Sequence, residues 1–382
     1  MPALAPTDPT LAGFRRAAER VVPIFLLGVL PLGLAIAVFA GSLHDYLWDF
    51  RVFWHAGDDV LSGRSPYPLP DAVQIARENT FVYPPEAALA FAPFALLPYH
   101  VAAPIYLCLL FASIVLTLRV LHVRDWRCYG AAFLMAPVFS AIANGAISCL
   151  LALGLAVAWR WRDSWKVAAG AVAGVIVAKV FLWPLAVWLV ATRRYAAAGA
   201  AAAGGVVVTA ASWAVLGFAG LRDYVHVLRI LADVEQEKGF SAVALGLSLG
   251  LPPGVARSVA LVLGAVALVG VFVLARRPDG DRLSLVAAVG AALLLSPIVW
   301  LHYFVLLLVP LAISRSRFTP LWLVLPLPFW FASASGQSQG HPELILLGLF
   351  TAALILLLSA QRTVSLPRLV LRRSTAAAPV AD

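Results

Sequence analysis

The chain has 382 residues, of which 62% are hydrophobic and only 12% charged, with a mean hydropathy of +0.91 and a formal net charge of +9. A soluble globular domain carries about 25% charged residues, so this composition excludes one and places the chain in a bilayer. The cations stand beside apolar runs rather than on a soluble face, which excludes nucleic acid as the partner and points to lipid phosphates.

In chain order, apolar spans are predicted at 18–43, 101–122, 128–143, 145–159, 167–178, 180–192, 195–217, 256–275, 283–298, 301–314, 318–333 and 342–360, about 12 in all. The first follows Arg15, Arg16 and Arg20 and is too long for a signal-peptide core, so it reads as an uncleaved span. With the N-terminus inside, the inner segments hold 20 of the 28 Lys and Arg but 7 of the 19 Asp and Glu. That bias orients the chain N-in and C-in. The segment 167–192 has arms of about 18 Å, too short to cross comfortably, so it is expected to dip in and return with Lys179 at its tip. Cys108, Cys128 and Cys149 lie in or beside apolar runs and read as packing residues.

The outer side collects the unusual material. The first outer loop, 44–100, holds "WDFRVFWHAGDDVLSG", "SPYPLP" and "FVYPPEAALAFAPFALLPYH". As a helix, Asp49–Leu61 puts Val52, Phe53, Ala56 and Val60 on one side, as an interfacial helix lying on the membrane does. Asp49 stands at its start, where an N-cap role competes with chemistry. A second short helix is expected from Pro84 to Leu97. Further outer features are Asn144-Gly145, Lys179, the loop 218–254, "SPIVWLHYF" around His302 and "ASGQSQGHPE" around His341. Ionisable groups at such depths are costly and are functional candidates. Asp58 and Asp59 read as a solvated helix face, and Arg222, Asp223, His226 and Glu235 as a solvated amphipathic segment. GxGxxG, P-loop, HExxH and GxSxG motifs are absent.

"DFRVFWHAGDDVLSGRSPYPLP … FVYPPEAALAFAPFALLP" resembles the signature of glycosyltransferase family 87, polytopic GT-C-type enzymes that include polyprenyl-phosphate-mannose-dependent α-mannosyltransferases. "AKVFLWPLAVWLVATRR" and "LSPIVWLHYFVLLLVPL" are similar to later elements of that family. Two departures stand out: "IANGAIS" lacks the family's Gln, and Lys179 is followed by Val180, with Pro184 a turn later. The resemblance implies an all-α GT-C bundle spanning 1–382 as one membrane domain, with a basic inner tail over 361–382. It implies a polyprenyl-phosphate sugar donor, most simply mannose with arabinofuranose as the alternative, and a glycolipid or envelope-glycan acceptor. The active site is expected on the extracytoplasmic side of the plasma membrane. No cofactor is expected and no metal ligands are assigned; metal dependence stays open. One acid suffices as base for inversion, so Asp49 is the expected base. Lys179, His302 and Arg51 are the expected donor-phosphate contacts, and Tyr83, Asn144 and His341 further substrate contacts. A lipid-linked sugar flippase is the reading of another class, but the charges crowd one rim rather than the midplane.

Overall fold

The computed structural model describes residues 9–41, 47–68, 71, 75, 80–332 and 337–361; the basic tail from residue 362 onward and parts of the first outer loop lie outside them. Among the described residues every regular element is helical. The first apolar run is α1 (Pro9–Ile24), a π turn (Phe25–Val29) and α2 (Leu30–Gly41). Then come α3 (Trp48–Leu61), α4 (Pro85–Ala95) and α5 (Tyr99–Val120). The next run is broken: α6 (Trp126–Phe133) and α7 (Ala136–Asn144) meet at a 62° bend, where Pro137 in the first turn of α7 fits a helix start but not a helix interior. The π turn and α6 cross closely. A Cβ on Gly28 would stand 2.8 Å from the Trp126 carbonyl oxygen, and one on Gly130 would stand 1.8 Å from that of Leu27, the small-residue contact that lets membrane helices approach.

The chain continues with α8 (Ser148–Arg160), α9 (Trp165–Ala178), a 3-10 turn (Val180–Leu182), α10 (Pro184–Ala191) and α11 (Tyr195–Val215). Two further helices, α12 (Leu221–Glu235) and α13 (Ala242–Ser248), fill the 218–254 segment. Next are α14 (Pro253–Ala275), α15 (Gly280–Leu295), a 3-10 segment (Leu301–Leu307) with α16 (Leu308–Ser314), α17 (Leu321–Val324), α18 (Pro328–Ala332) and α19 (Pro342–Ala360). Among the described residues, four helices (α5, α11, α14 and α19) are long and apolar enough to cross a membrane, five if the bent α6–α7 pair counts as one span. The remaining predicted spans correspond to shorter helices, so helix length alone stops short of twelve crossings. On α11 and α14, Val206, Val262 and Val266 are 60–70% exposed. Apolar side chains in such density on an outer face fit contact with lipid.

Ion pairs at one end of the bundle fix how the short helices run. Arg194 holds both Asp281 oxygens at 2.8 Å and Asp163 at 2.7 Å, and Arg162 reaches Asp281 at 2.9 Å. Arg162 precedes α9 and Arg194 follows α10, so that segment leaves and returns to the same end, with Lys179 at its turning point. Arg282 caps the final turn of α19 through the Ser359 and Ala360 carbonyls, and the Phe318 amide donates to Asp125. Asp163, Arg194 and Asp281 therefore belong to the end opposite Lys179.

The helix α3 differs from expectation in two respects. Its buried face is Phe50, Phe53, Ala56 and Gly57, and that face packs on protein. Phe50 stacks on Tyr106 of α5 at 4.4 Å and Phe53 on Phe91 of α4 at 4.5 Å. Large aromatic side chains find more complementary partners there than on a lipid surface. Asp49 is not the N-cap: Leu47 is, in the left-handed region at φ 67°, and among the described residues no side chain caps the helix.

Candidate active site

Asp49 is set by its neighbours on both sides. The Leu47 amide donates to the Ala143 carbonyl of α7 at 2.7 Å, and Leu47 is fully buried. Phe50 is anchored as above. Gly145, at φ 69°, lies so close that a Cβ there would come within 2.9 Å of the Phe50 Cβ. With both flanking residues fixed, the half-buried Asp49 side chain turns to the other side of α3, into a cavity of about 590 Å³. That size suits a small-molecule head.

Across the cavity stand Lys179, His302 and Tyr303. Lys179 sits where the backbone leaves α9 in an extended conformation, between α9 and the 3-10 turn. Its ammonium donates to the Tyr303 hydroxyl at 2.5 Å and lies 3.7 Å from the Tyr303 ring centroid and 5.1 Å from that of Tyr83. Two aromatic faces and a phenol oxygen thus stabilise a buried cation. Phe181 stacks on Tyr303 at 4.9 Å with rings nearly parallel and fixes the phenol. His302 is buried, and its Nε2 has no hydrogen-bond partner among the described residues. Burying such a nitrogen unpaired costs free energy, so a group arriving in the cavity gains by pairing with it. Burial pushes the Asp49 carboxyl up to about 6, and the positive charge of Lys179 opposes the rise.

The expected site residues divide by position. Asp49, Tyr83, Asn144, Lys179 and His302 line this one cavity. Asn144 uses its amide nitrogen within its own helix, donating to the Ser140 carbonyl at 2.9 Å. Arg51 lies instead in an adjoining cleft. His341 is exposed, 3.3 Å from Glu343, and outside both. The segment read as solvated is partly a wall: Tyr224, Leu228, Leu231 and Glu235 of α12 face the cavity. Their spacing of four, three and four residues is one helical face, so this signal was present in the sequence. Glu235 is tied to Lys238 at 2.8 Å. Tyr303, next to His302, and Glu86 were also passed over. Glu86 is buried, and one of its oxygens accepts from Thr209 at 2.9 Å.

The upper wall is clasped by tyrosines. The Tyr67 hydroxyl donates to the Tyr83 carbonyl at 3.1 Å and the Tyr224 hydroxyl to that of Val82 at 3.3 Å. Tyr67 also stacks on Trp213 of α11. The loop that carries Tyr83 to Lys179 is thereby fastened to α11 and α12.

The family model for glycosyltransferase family 87 matches residues 81–297, more than half of the chain. The match takes in Tyr83, Asn144 and Lys179, while Asp49, Arg51, His302 and His341 lie outside it. No curated protein and no solved structure matches the chain.

Proposed function

This chain belongs to glycosyltransferase family 87, and we propose that it transfers a sugar, mannose in the first instance, from a polyprenyl-phosphate donor to a glycolipid or envelope-glycan acceptor. The observation that carries this reading is one cavity holding a carboxylate, Asp49, opposite a buried cation, Lys179, and an unpaired imidazole nitrogen of His302. In the proposed reaction Asp49 takes the proton of the acceptor hydroxyl as its oxygen attacks the anomeric carbon. The bond from that carbon to the phosphate oxygen breaks, and the phosphate leaves with the electron pair. Lys179, and a proton on His302 Nε2, stabilise the growing phosphate charge. Tyr83 borders the sugar. A single displacement inverts the anomeric centre, whereas a double displacement needs a second free carboxylate as nucleophile. Glu235, the other acid of the wall, is engaged by Lys238.

The depth of the cavity supports a lipid-borne donor. The 14 residues of α9 rise about 21 Å from the ion-paired end to Lys179, less than the roughly 30 Å of a hydrocarbon core. A cation there lies below the far membrane surface, within reach of a phosphate carried on a lipid rather than on a nucleotide. We place the ion-paired, arginine-rich end at the cytoplasm by the positive-inside bias. The site then faces the extracytoplasmic side of the plasma membrane, the termini are inside, and the apolar segments alternate as about 12 passes of one domain, 1–382.

Proteoliposomes given polyprenyl-phosphate [14C]mannose and extracted membrane glycolipids are expected to yield a labelled glycolipid. Labelling from the arabinofuranose donor alone would reassign the sugar. Donor translocation without any product would replace the reading with a flippase.

A further inference from the structure

The helix α3 separates two openings. On one side is the cavity with Asp49; on the other is a surface cleft of about 360 Å³ that includes Arg51, His55, Asp59, Tyr67 and Phe81 in its lining. Trp48, Val52 and Thr80 border both. The sequence dictates this division. At about 100° per residue, Arg51, His55 and Asp59 follow one another at intervals of four and form a polar stripe, while Asp49 stands about 160° from Arg51, with Trp48 and Val52 between. A residue read as a donor-phosphate contact is thus on the opposite flank of α3 from Lys179 and His302.

The cleft has the chemistry of a sugar-binding surface. Trp48, 54% exposed, borders the cleft and offers an aromatic face against which the C–H face of a pyranose packs, while Tyr67 and the buried Phe81, their rings 5.6 Å apart, pack as its wall. Arg51, its guanidinium 5.7 Å from the Trp48 ring centroid and 5.5 Å from that of Tyr99, brings N–H donors to the cleft, His55 a donor or acceptor, and Asp59 an acceptor. Arg64 holds Asp59 at 2.8 Å and Asp58 at 3.1 Å, which fixes the carboxylate at the rim. Few polar groups converging among aromatic walls is the usual make-up of a small-molecule site.

We infer that this cleft is the acceptor subsite, that it takes a sugar ring of the acceptor, and that α3 is the divider across which acceptor and donor meet at Asp49. The inference rests on the transferase reading above. A ring seated on Arg51 and His55 directs a hydroxyl over the small Val52 side chain to Asp49, while the donor phosphate stays on the Lys179 side.

The test measures KM for donor and acceptor separately, with polyprenyl-phosphate mannose as donor and n-octyl α-mannopyranoside as acceptor. Arg51→Ala and His55→Ala are each expected to raise the acceptor KM about tenfold, the loss of one hydrogen bond to a sugar hydroxyl, with the donor KM changed by less than about twofold. His55 is exposed, so its truncation leaves folding intact and keeps the test decisive if Arg51→Ala is unstable. A rise in donor KM, or an unchanged acceptor KM in His55→Ala, overturns the assignment. Transfer to extracted glycolipids but none to the mannoside overturns the sugar-ring class. No transfer by the unmodified protein to either acceptor, from the mannose or the arabinofuranose donor, refutes the function reading itself, and the subsite with it.

Discussion

Gly145→Ala tests whether the loop after α7 holds Asp49, the proposed base, in place. Gly145 has φ 69°, a conformation that costs a side-chain-bearing residue about 1 kcal/mol or more. The added Cβ would also lie 2.9 Å from the Phe50 Cβ and 3.1 Å from both the Leu47 Cα and the Phe50 nitrogen. None of these is the end of a flexible side chain, so the start of α3 must shift; overpacking of this kind costs about 1–3 kcal/mol. The two contributions together amount to about 2–4 kcal/mol. Because the atoms displaced flank Asp49, kcat is expected to fall by about tenfold to a hundredfold, as small misplacements of reacting groups do. Gly63→Ala is the control: Gly63 has φ 72° but nothing near its would-be Cβ, so it bears the backbone cost alone and turnover stays normal. The assay is single-turnover sugar transfer alongside an apparent melting temperature. Unchanged kcat in Gly145→Ala, or an equal loss in Gly63→Ala, would refute the reasoning.

Other outcomes follow from the same geometry. Asp49 must be ionised to act as base, so kcat/KM is expected to fall about tenfold per pH unit as pH drops below about 6. Lys179→Met removes the charge that opposes protonation of Asp49, so this acidic limb should move to higher pH while turnover drops; a limb that stays in place would show that the two groups do not interact. At the far end of the bundle, a hydrogen bond from Arg194 is the largest influence holding the Asp281 carboxyl below its ordinary value of 3.8; burial opposes it, and a hydrogen bond from Arg162 adds to the lowering. A depressed folded-state pKa gives stability that is complete above the unfolded value and lost as pH falls through the folded one. Asp281→Asn is therefore expected to lose about 1 kcal/mol at pH 7, a figure reduced because the carboxylate is 35% exposed. The gap in melting temperature should close as pH falls below the usual carboxylate range.

Most of the helices were legible as apolar runs because hydropathy needs no knowledge of partners. Their lengths as spans were less so. The run 128–143 contains Pro137, which breaks it into α6 and α7, and 180–192 opens with a 3-10 turn that the apolar pattern of Val180, Phe181 and Leu182 does not distinguish from α-helix. Lys179 and His302 stood out as ionisable groups in apolar surroundings, where a charge needs a reason, and Asp49 by its place at the rim of the first apolar run and by the resemblance. What remained hidden depends on partners distant in sequence. The apolar side of α3 looks the same whether it meets lipid or, as here, Phe91 and Tyr106. The sides taken by Arg51 and Asp49 depend on the wall between two openings. Tyr303 was masked by its neighbour His302, since only the position of the Lys179 ammonium, 124 residues away, marks it as part of the site.

The central claim is that Asp49 is the base in transfer from a lipid phosphate. Its most direct test is Asp49→Asn in proteoliposomes loaded with polyprenyl-phosphate mannose, with donor binding and product formation measured on the same preparation. The amide keeps the shape of the side chain but cannot accept the proton. The account predicts donor binding close to that of the unmodified protein and product formation lower by at least about a hundredfold. Product formation within a few-fold of the unmodified protein would contradict it.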